Sequence, residues 1–204
     1  MNESILFVCT ANICRSPLMQ YTFASEVNRS RPLTIKSAGT TAQIGSTMCA
    51  TALSMVSSGS RDAAARHASS VVENSPLDAT LVIVASRAER AAIARAFPEV
   101  RPRLFTLTEA VLLGRSALSK PKREAASDEP MSLFAELIDA QRGMITLPRH
   151  DRRLRKLWLS KAHLFDIPDA HHSGRFAHRK ALKRVRAEAA ELATMIRVLQ
   201  VAHA

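Results

Sequence analysis

Long apolar runs are missing from this sequence, and a membrane span with them: no stretch approaches the ~20 apolar residues needed to cross a bilayer. The opening Met-Asn-Glu-Ser has no basic residue, and Ile5–Cys9 is too short for the apolar region of a signal peptide, so no cleaved leader is expected. Cysteine is scarce. Three of them, unevenly spaced, do not make a disulfide framework, and a reducing cytoplasm is the expected compartment. Aromatic residues make up 4 %, with no interleaving of basic and aromatic side chains of the kind that stacks nucleic-acid bases. No internal repeat is visible. Acidic residues are outnumbered, 18 against 29 Lys and Arg, and the net charge of +11 favours anionic partners: phosphorylated substrates, nucleic acid or acidic lipid. What the 204 residues do contain is apolar material, 47 %, enough to bury the core of a single domain and to exclude a disordered chain.

That apolar material alternates between strand-like and helix-like patterns. Ser4–Cys9 is a short β-type run, and Ser16-Pro17 reads as the N-cap and first residue of a helix with Met19, Phe23 and Val27 on its apolar stripe. Leu33–Lys36 is a second strand, leaving through Ser37-Ala38-Gly39-Thr40, and a helix is expected over Thr47–Ser57. "TLVIVA", Thr80–Ala85, is continuously apolar, as suits a parallel strand covered on both faces. Ser86-Arg-Ala-Glu89 is a capping box opening a helix that Pro98 closes, and Arg103–Leu107 is a weaker fourth strand. Strands separated by helices imply right-handed βαβ units and an α/β sandwich.

The second half has a different character. Gly114–Glu129 is polar and reads as a loop, so a single domain over 1–204 with a mostly helical insertion at about 114–160 is expected. Pro130 starts an amphipathic segment through Ile138. In "RHDRRLRKLWLSKA" the basic segment Arg149 to Lys156 reads as the solvated face of a helix whose Leu154, Leu157 and Trp158 cover the core; a nucleic-acid contact is the rival reading. Leu182, Val185, Ala189, Leu192, Ile196 and Leu199 give the last helix a core-facing stripe.

The chemistry concentrates in "FVCTANICRSP", residues 7–17. A loop between the first strand and first helix of a parallel sheet lies at the carboxyl edge, where such folds bind ligands. Its backbone N–H groups, from Thr10 through Cys14, and the helix N-terminus make an anion site. Asn12 tolerates the left-handed backbone that a tight anion loop requires. Arg15 contributes a planar fork for two phosphoryl oxygens. Cys9, in the same positive field, is expected as a thiolate nucleophile aimed at phosphorus, steadied by the Ser16 hydroxyl. Cys14 lies five residues on, close enough along a curled loop for a protective disulfide with Cys9 under peroxide.

"VCTANICRSP" resembles the phosphate loop of the low-molecular-weight protein tyrosine phosphatases, Cys-x5-Arg-Ser near the N-terminus, with Ala11 where those have glycine. "SAGT" at 37–40 matches their second strand exit. The resemblance covers about residues 4–107 and 163–200. It implies a flavodoxin-like, three-layer α/β sandwich with a four-stranded parallel sheet, and phosphomonoester hydrolysis through a phosphocysteine, without a cofactor. Catalysis falls to Cys9, Arg15 and an acid. Substrate binding falls to Thr10, Ala11, Asn12, Ile13, Cys14 and Ser16, with phosphate or sulfate expected in the loop and a phosphorylated protein or small phosphomonoester as the partner.

In that family the acid comes from an Asp-Pro pair followed by one or two tyrosines. Here "FDIPDAHHSGRF" stands in the corresponding place. Asp169 matches the acid, Ala170 replaces the proline, and His171 and His172 replace the tyrosines. A less rigid loop is therefore expected, with Asp166 as the rival acid. No aromatic follows "SAGT" in "TTAQIG" either, so both walls of a phosphotyrosine slot are missing. Neither histidine has companions at metal-ligand spacing, and no metal is expected. Two other functions remain open: a phosphate-binding regulatory module with weakened catalysis, supported by the altered acid loop, and an arsenate reductase, opposed by the lack of relay cysteines beyond Cys49.

Overall fold

The computed structural model describes residues 3–27, 32–73, 75–119, 129–144 and 164–201. Four parallel strands, β1 (Glu3–Cys9), β2 (Leu33–Gly39), β3 (Leu81–Val84) and β4 (Leu104–Thr106), form one sheet in the order β2-β1-β3-β4. Between and after them lie α1 (Arg15–Glu26), α2 (Ala50–Leu53), α3 (Ser58–Ala65), α4 (Ser75–Asp78), α5 (Arg87–Ala96), α6 (Leu107–Leu118), α7 (Pro130–Asp139) and α8 (Arg175–Val201). This is the flavodoxin-like α/β sandwich that the sequence implied.

Strand alternation divides the core in two. Ile5, Phe7, Leu81, Ile83 and Phe105 face α1, α6, α7 and α8, while Leu6, Val8, Val82, Val84 and Leu104 face Ile93 of α5 and Val100 of the 3-10 turn after it. β1 and β3 are buried on both faces, which is why their sequences read as unbroken apolar runs. The stripes expected on α1 and α8 are buried throughout, from Met19, Phe23 and Val27 to Leu182, Val185, Leu192 and Ile196. No helix among the described residues is long and apolar enough to cross a membrane.

Three local expectations are corrected. α1 begins at Arg15, with Cys14 at the cap position, because the Ser16 hydroxyl engages Cys9 and the Ala38 carbonyl instead of capping. Of the helix expected over Thr47–Ser57 only Ala50–Leu53, α2, is helical; α3 starts beyond it at Ser58, after Ser57 turns extended, and Arg61 hydrogen-bonds the carbonyls of Ser54 and Val56 across the break. Gly114–Leu118 is not loop but the last turns of α6. A Cβ on Gly114 would lie 2.6 Å from Met195 Sδ and 3.0 Å from the Phe134 ring, so this glycine answers to packing rather than to a turn. The rest of the expected insertion, apart from α7 and its following turn, and the whole basic segment with Trp158 lie outside the described residues.

In a doubly wound sheet the strand order reverses between β1 and β3, and ligands bind beyond the carboxyl ends of that pair. Cys9 is the last residue of β1.

Candidate active site

Residues 9–14 curl from the end of β1 into the N-terminus of α1. Asn12 makes the bend with φ 55°, the left-handed backbone expected of it. Its side chain is wholly buried and fully used: Nδ2 donates to Ser16 Oγ at 2.8 Å and Ser37 Oγ at 2.9 Å, and Oδ1 accepts from the Ser70 amide at 3.0 Å. Its carbonyl accepts from His67 Nε2 at 2.8 Å, and burial holds the His67 pKa down, keeping that ring neutral. The loop is thus braced from behind by residues 67–70.

Inside the curl, Cys9 is 2 % exposed; its Sγ lies 3.1 Å from Ser16 Oγ and accepts from the Asn12 amide at 3.3 Å. The Asn12 N–H points at the sulfur, while in the Ser16 contact either atom can donate. Gly39, the glycine of "SAGT", lies against the loop from the other side. Its Cβ position would be 2.5 Å from the Thr10 carbonyl oxygen, 2.8 Å from Ala42 Cβ and 3.0 Å from the Asn12 amide. Two of these are backbone atoms of the loop itself and cannot swing away. Gly39→Ala is therefore expected to destabilise the fold by about 1–3 kcal/mol, the scale of overpacking. A lower urea midpoint at unchanged slope, with weaker inorganic phosphate binding, is the measurement that checks it.

Arg15, 5 % exposed, points across the mouth of the loop. Its NH1 donates to the Ile167 carbonyl at 3.2 Å and lies 3.3 Å from Glu89 Oε1; its NH2 reaches Thr10 Oγ1 at 3.2 Å and Asp169 Oδ2 at 2.6 Å. Thr10 Oγ1 in turn donates to Glu89 Oε1 at 2.8 Å. Glu89 is buried, and its other oxygen accepts from the Ser86 hydroxyl. The expected capping box is not formed: Ser86 caps α5 by accepting from the Ala88 amide, and the Glu89 carboxylate turns instead to the Ser86 hydroxyl, Thr10 and Arg15, orienting the arginine. Only the close approach of β1 and β3 brings the two together.

The acid loop arrives at the same place. Asp169 lies against Arg15 with its carboxylate about half exposed, while Asp166 is held by Arg87 through its backbone amide at 2.8 Å and its guanidinium at 2.9 Å. The loop is pinned rather than loose, contrary to expectation. The Ile167 amide donates to the Ala85 carbonyl, Ile167 and Ala170 are buried, and Arg184 of α8 donates to the Leu164 and Asp166 carbonyls. These anchors substitute for the rigidity a proline at 170 would have given.

His171 does not stand at the rim. Its Nδ1 lies 3.2 Å from Cys14 Sγ, its ring packs edge-on against His172 and His178, and its amide donates to Asp169 Oδ1 at 3.3 Å. Cys49 Sγ caps α2 and lies 3.5 Å from His178 Nε2. A hydrogen bond from the Cys14 thiol, aided by His178, brings the Cys49 pKa down to about 5 and pushes that of Cys14 up. Cys14, Cys49, His171 and His178 offer ligand atoms all within 4.8 Å of one another. His171, though not His172, thus has possible ligand companions, and they come from segments far apart in the chain where sequence spacing does not show them.

A doubly wound sheet whose switch-point loop brings a thiol and a guanidinium to the ligand-binding edge offers an anion site beside a sulfur. Residues 4–139 match the model of the low molecular weight phosphotyrosine protein phosphatases, and the chain belongs to that family and is a phosphatase. The match runs through α6 and α7 and ends before the acid loop. A protein-arginine-phosphatase from Geobacillus stearothermophilus is 36 % identical over 113 residues, 54 % of this chain and 73 % of the relative. Among solved structures, a YwlE mutant from Bacillus subtilis is 23 % identical over 78 % of this chain and 99 % of its own, with a TM-score of 0.47. The tyrosine phosphatase Wzb from Escherichia coli K30, in complex with sulfate, is 24 % identical over 69 % and 93 %, with a TM-score of 0.45.

Proposed function

We propose that Cys9, Arg15 and Asp169 carry out phosphomonoester hydrolysis through a phosphocysteine. The observation that carries this reading is the Arg15 fork set against the Asp169 carboxylate at the end of the loop that curls around Cys9 Sγ. The substrate phosphoryl oxygens take the place of Asp169 on Arg15 and bind the amides of residues 10–14 and the Ser16 region. The Cys9 thiolate attacks phosphorus in line, the P–O bond breaks, and Asp169 gives its proton to the leaving oxygen. Water then attacks the phosphocysteine, Asp169 takes its proton, and the S–P bond breaks to release phosphate. Ser16 steadies the departing sulfur. Three free cysteines, one of them the nucleophile, call for a reducing compartment, and we place the protein in the cytoplasm. A burst of product from an aryl phosphate, with a trapped phosphorus–sulfur adduct on Cys9, is the expected result. Absence of turnover with intact phosphate binding would make the chain a regulatory module instead.

The substrate is a phosphorylated protein or small phosphomonoester with little premium on an aromatic ring. Thr40–Gly45 supplies no aromatic wall, Ile44 there is 75 % exposed, and the histidines in the tyrosine positions are turned to Cys14 or to solvent. Burying and stacking a tyrosine ring contributes on the order of 2–3 kcal/mol, so losing both walls removes most of the discrimination. The expected result is a less than tenfold spread of kcat/KM between phosphotyrosine peptides and alkyl or sugar phosphates at matched leaving-group pKa and fixed salt. The relative's activity adds a phosphoarginine peptide to that panel. A hundredfold preference for phosphotyrosine would overturn this view of the slot.

A further inference from the structure

Four soft donors meet beside the phosphate loop, on three segments separated by 35 and 122 positions. Cys14 comes from the loop itself, Cys49 from the cap of α2, His171 from the acid loop and His178 from the first turns of α8. Cys14 and His178 are buried, and Cys49 and His171 are half-buried. None of the four side chains has a part in the phosphoryl-transfer steps.

Their ligand atoms are spaced near, and on the widest edge somewhat beyond, the edges of a zinc tetrahedron. Zinc bonds of about 2.3 Å to sulfur and 2.0–2.1 Å to imidazole nitrogen put ligand atoms about 3.3–3.8 Å apart. Here the Cys14 Sγ–His171 Nδ1 and Cys49 Sγ–His178 Nε2 edges measure 3.2 and 3.5 Å, and no pair exceeds 4.8 Å. The widest edge has to shorten by about 1 Å. Two thiolates and two neutral imidazoles would cancel the charge of a divalent ion, and sulfur–nitrogen tetrahedra select zinc over magnesium or calcium.

We propose that Cys14, Cys49, His171 and His178 form a closed, four-coordinate zinc site that clips the acid loop and the start of α8 to the phosphate loop. Binding displaces any thiol proton still present to solvent and involves no redox step. With all four positions filled by protein, the ion has no vacancy for water or substrate, so the site is structural and separate from the Cys9 chemistry. It also fixes the His171 amide, which donates to Asp169 Oδ1, and so sets the carboxylate facing Arg15. That last consequence rests on Asp169 being the acid; metal binding itself does not.

The test titrates the reduced full chain with cobalt(II) alone, anaerobically, followed by zinc as competitor. One equivalent is expected to give intense tetrahedral visible bands and thiolate-to-cobalt charge transfer, both abolished by one equivalent of zinc, with a rise in Tm on zinc addition. Cys9→Ser is expected to behave identically, which separates this site from the nucleophile and from any failure of the proposed reaction. Cys49→Ser and His178→Ala are expected to weaken binding by about 100-fold or more, since even outer-sphere partners are worth 10–100-fold. His178→Cys keeps four donors and is expected to retain binding with stronger charge transfer, which guards against a misfolded alanine variant. Weak octahedral spectra, binding indifferent to Cys49 and His178, loss of the site in Cys9→Ser, or a Cys14–Cys49 disulfide with no metal uptake would each overturn the proposal.

Discussion

Cys9→Ser is expected to abolish phosphate release while leaving inorganic phosphate bound nearly as well as before. The serine oxygen is a poor nucleophile without a base beside it, and the nearest group, Ser16 Oγ, is itself a hydroxyl. The amides of the loop and the Arg15 fork are untouched, so the anion site persists. The loss in kcat is expected on the order of 10⁴-fold or more, the scale on which removing a covalent nucleophile acts. Arg15→Ala is the contrasting variant, expected to lose both turnover and phosphate binding. It also leaves Glu89, with a side chain 5 % exposed, facing no cation, and removing one partner of a buried pair costs about 3–5 kcal/mol. Arg15→Lys keeps the charge and relieves that cost, yet an ammonium cannot grip two oxygens at once, so turnover is still expected to fail. Circular dichroism with phosphate-binding calorimetry separates the folding effect from the binding effect. Retention of more than a small fraction of wild-type rate in Cys9→Ser would reject the mechanism.

The acid gives the second large effect. Asp169→Asn is expected to lower kcat by roughly 10²–10⁴-fold, most for alkyl phosphates and least for aryl phosphates whose leaving groups need no proton. Asp166→Asn is expected to do much less to the chemistry. Its carboxylate is committed to the Arg87 amide and guanidinium, so the variant loosens the anchor of the loop and the start of α5 instead. A leaving-group series of kcat for both variants is the measurement. The reverse ranking would move the role to Asp166, and two unaffected variants would favour a binding module.

Much of this architecture was legible because it depends on local periodicity. Unbroken apolar runs marked β1 and β3, the three-four spacing marked α8, and the Ser86 cap and Pro98 bracketed α5. Reading failed where a residue's duty lies in a distant contact. Ser16 looked like a cap and is a partner of Cys9; Gly114 looked like a loop and is the space that Met195 and Phe134 fill. Ala170 suggested a slack acid loop, yet Ile167, Asp166 and Arg184 hold it from three sides.

The sequence alone determined the loop that binds an anion, since Cys9, Asn12, Arg15 and the helix start lie within seven consecutive residues and local backbone geometry suffices to gather them. It also determined the centre of the sheet, because burial on both faces leaves an unbroken apolar signature in β1 and β3. Tertiary structure alone decided which carboxylate faces Arg15, that Glu89 orients it, and that Cys14 and Cys49 meet His171 and His178. Those contacts join residues as much as 157 positions apart, as with Cys14 and His171, and no local pattern encodes them. They arise only when the packing of α8 and the acid loop onto the sheet brings those segments to the carboxyl end of β1.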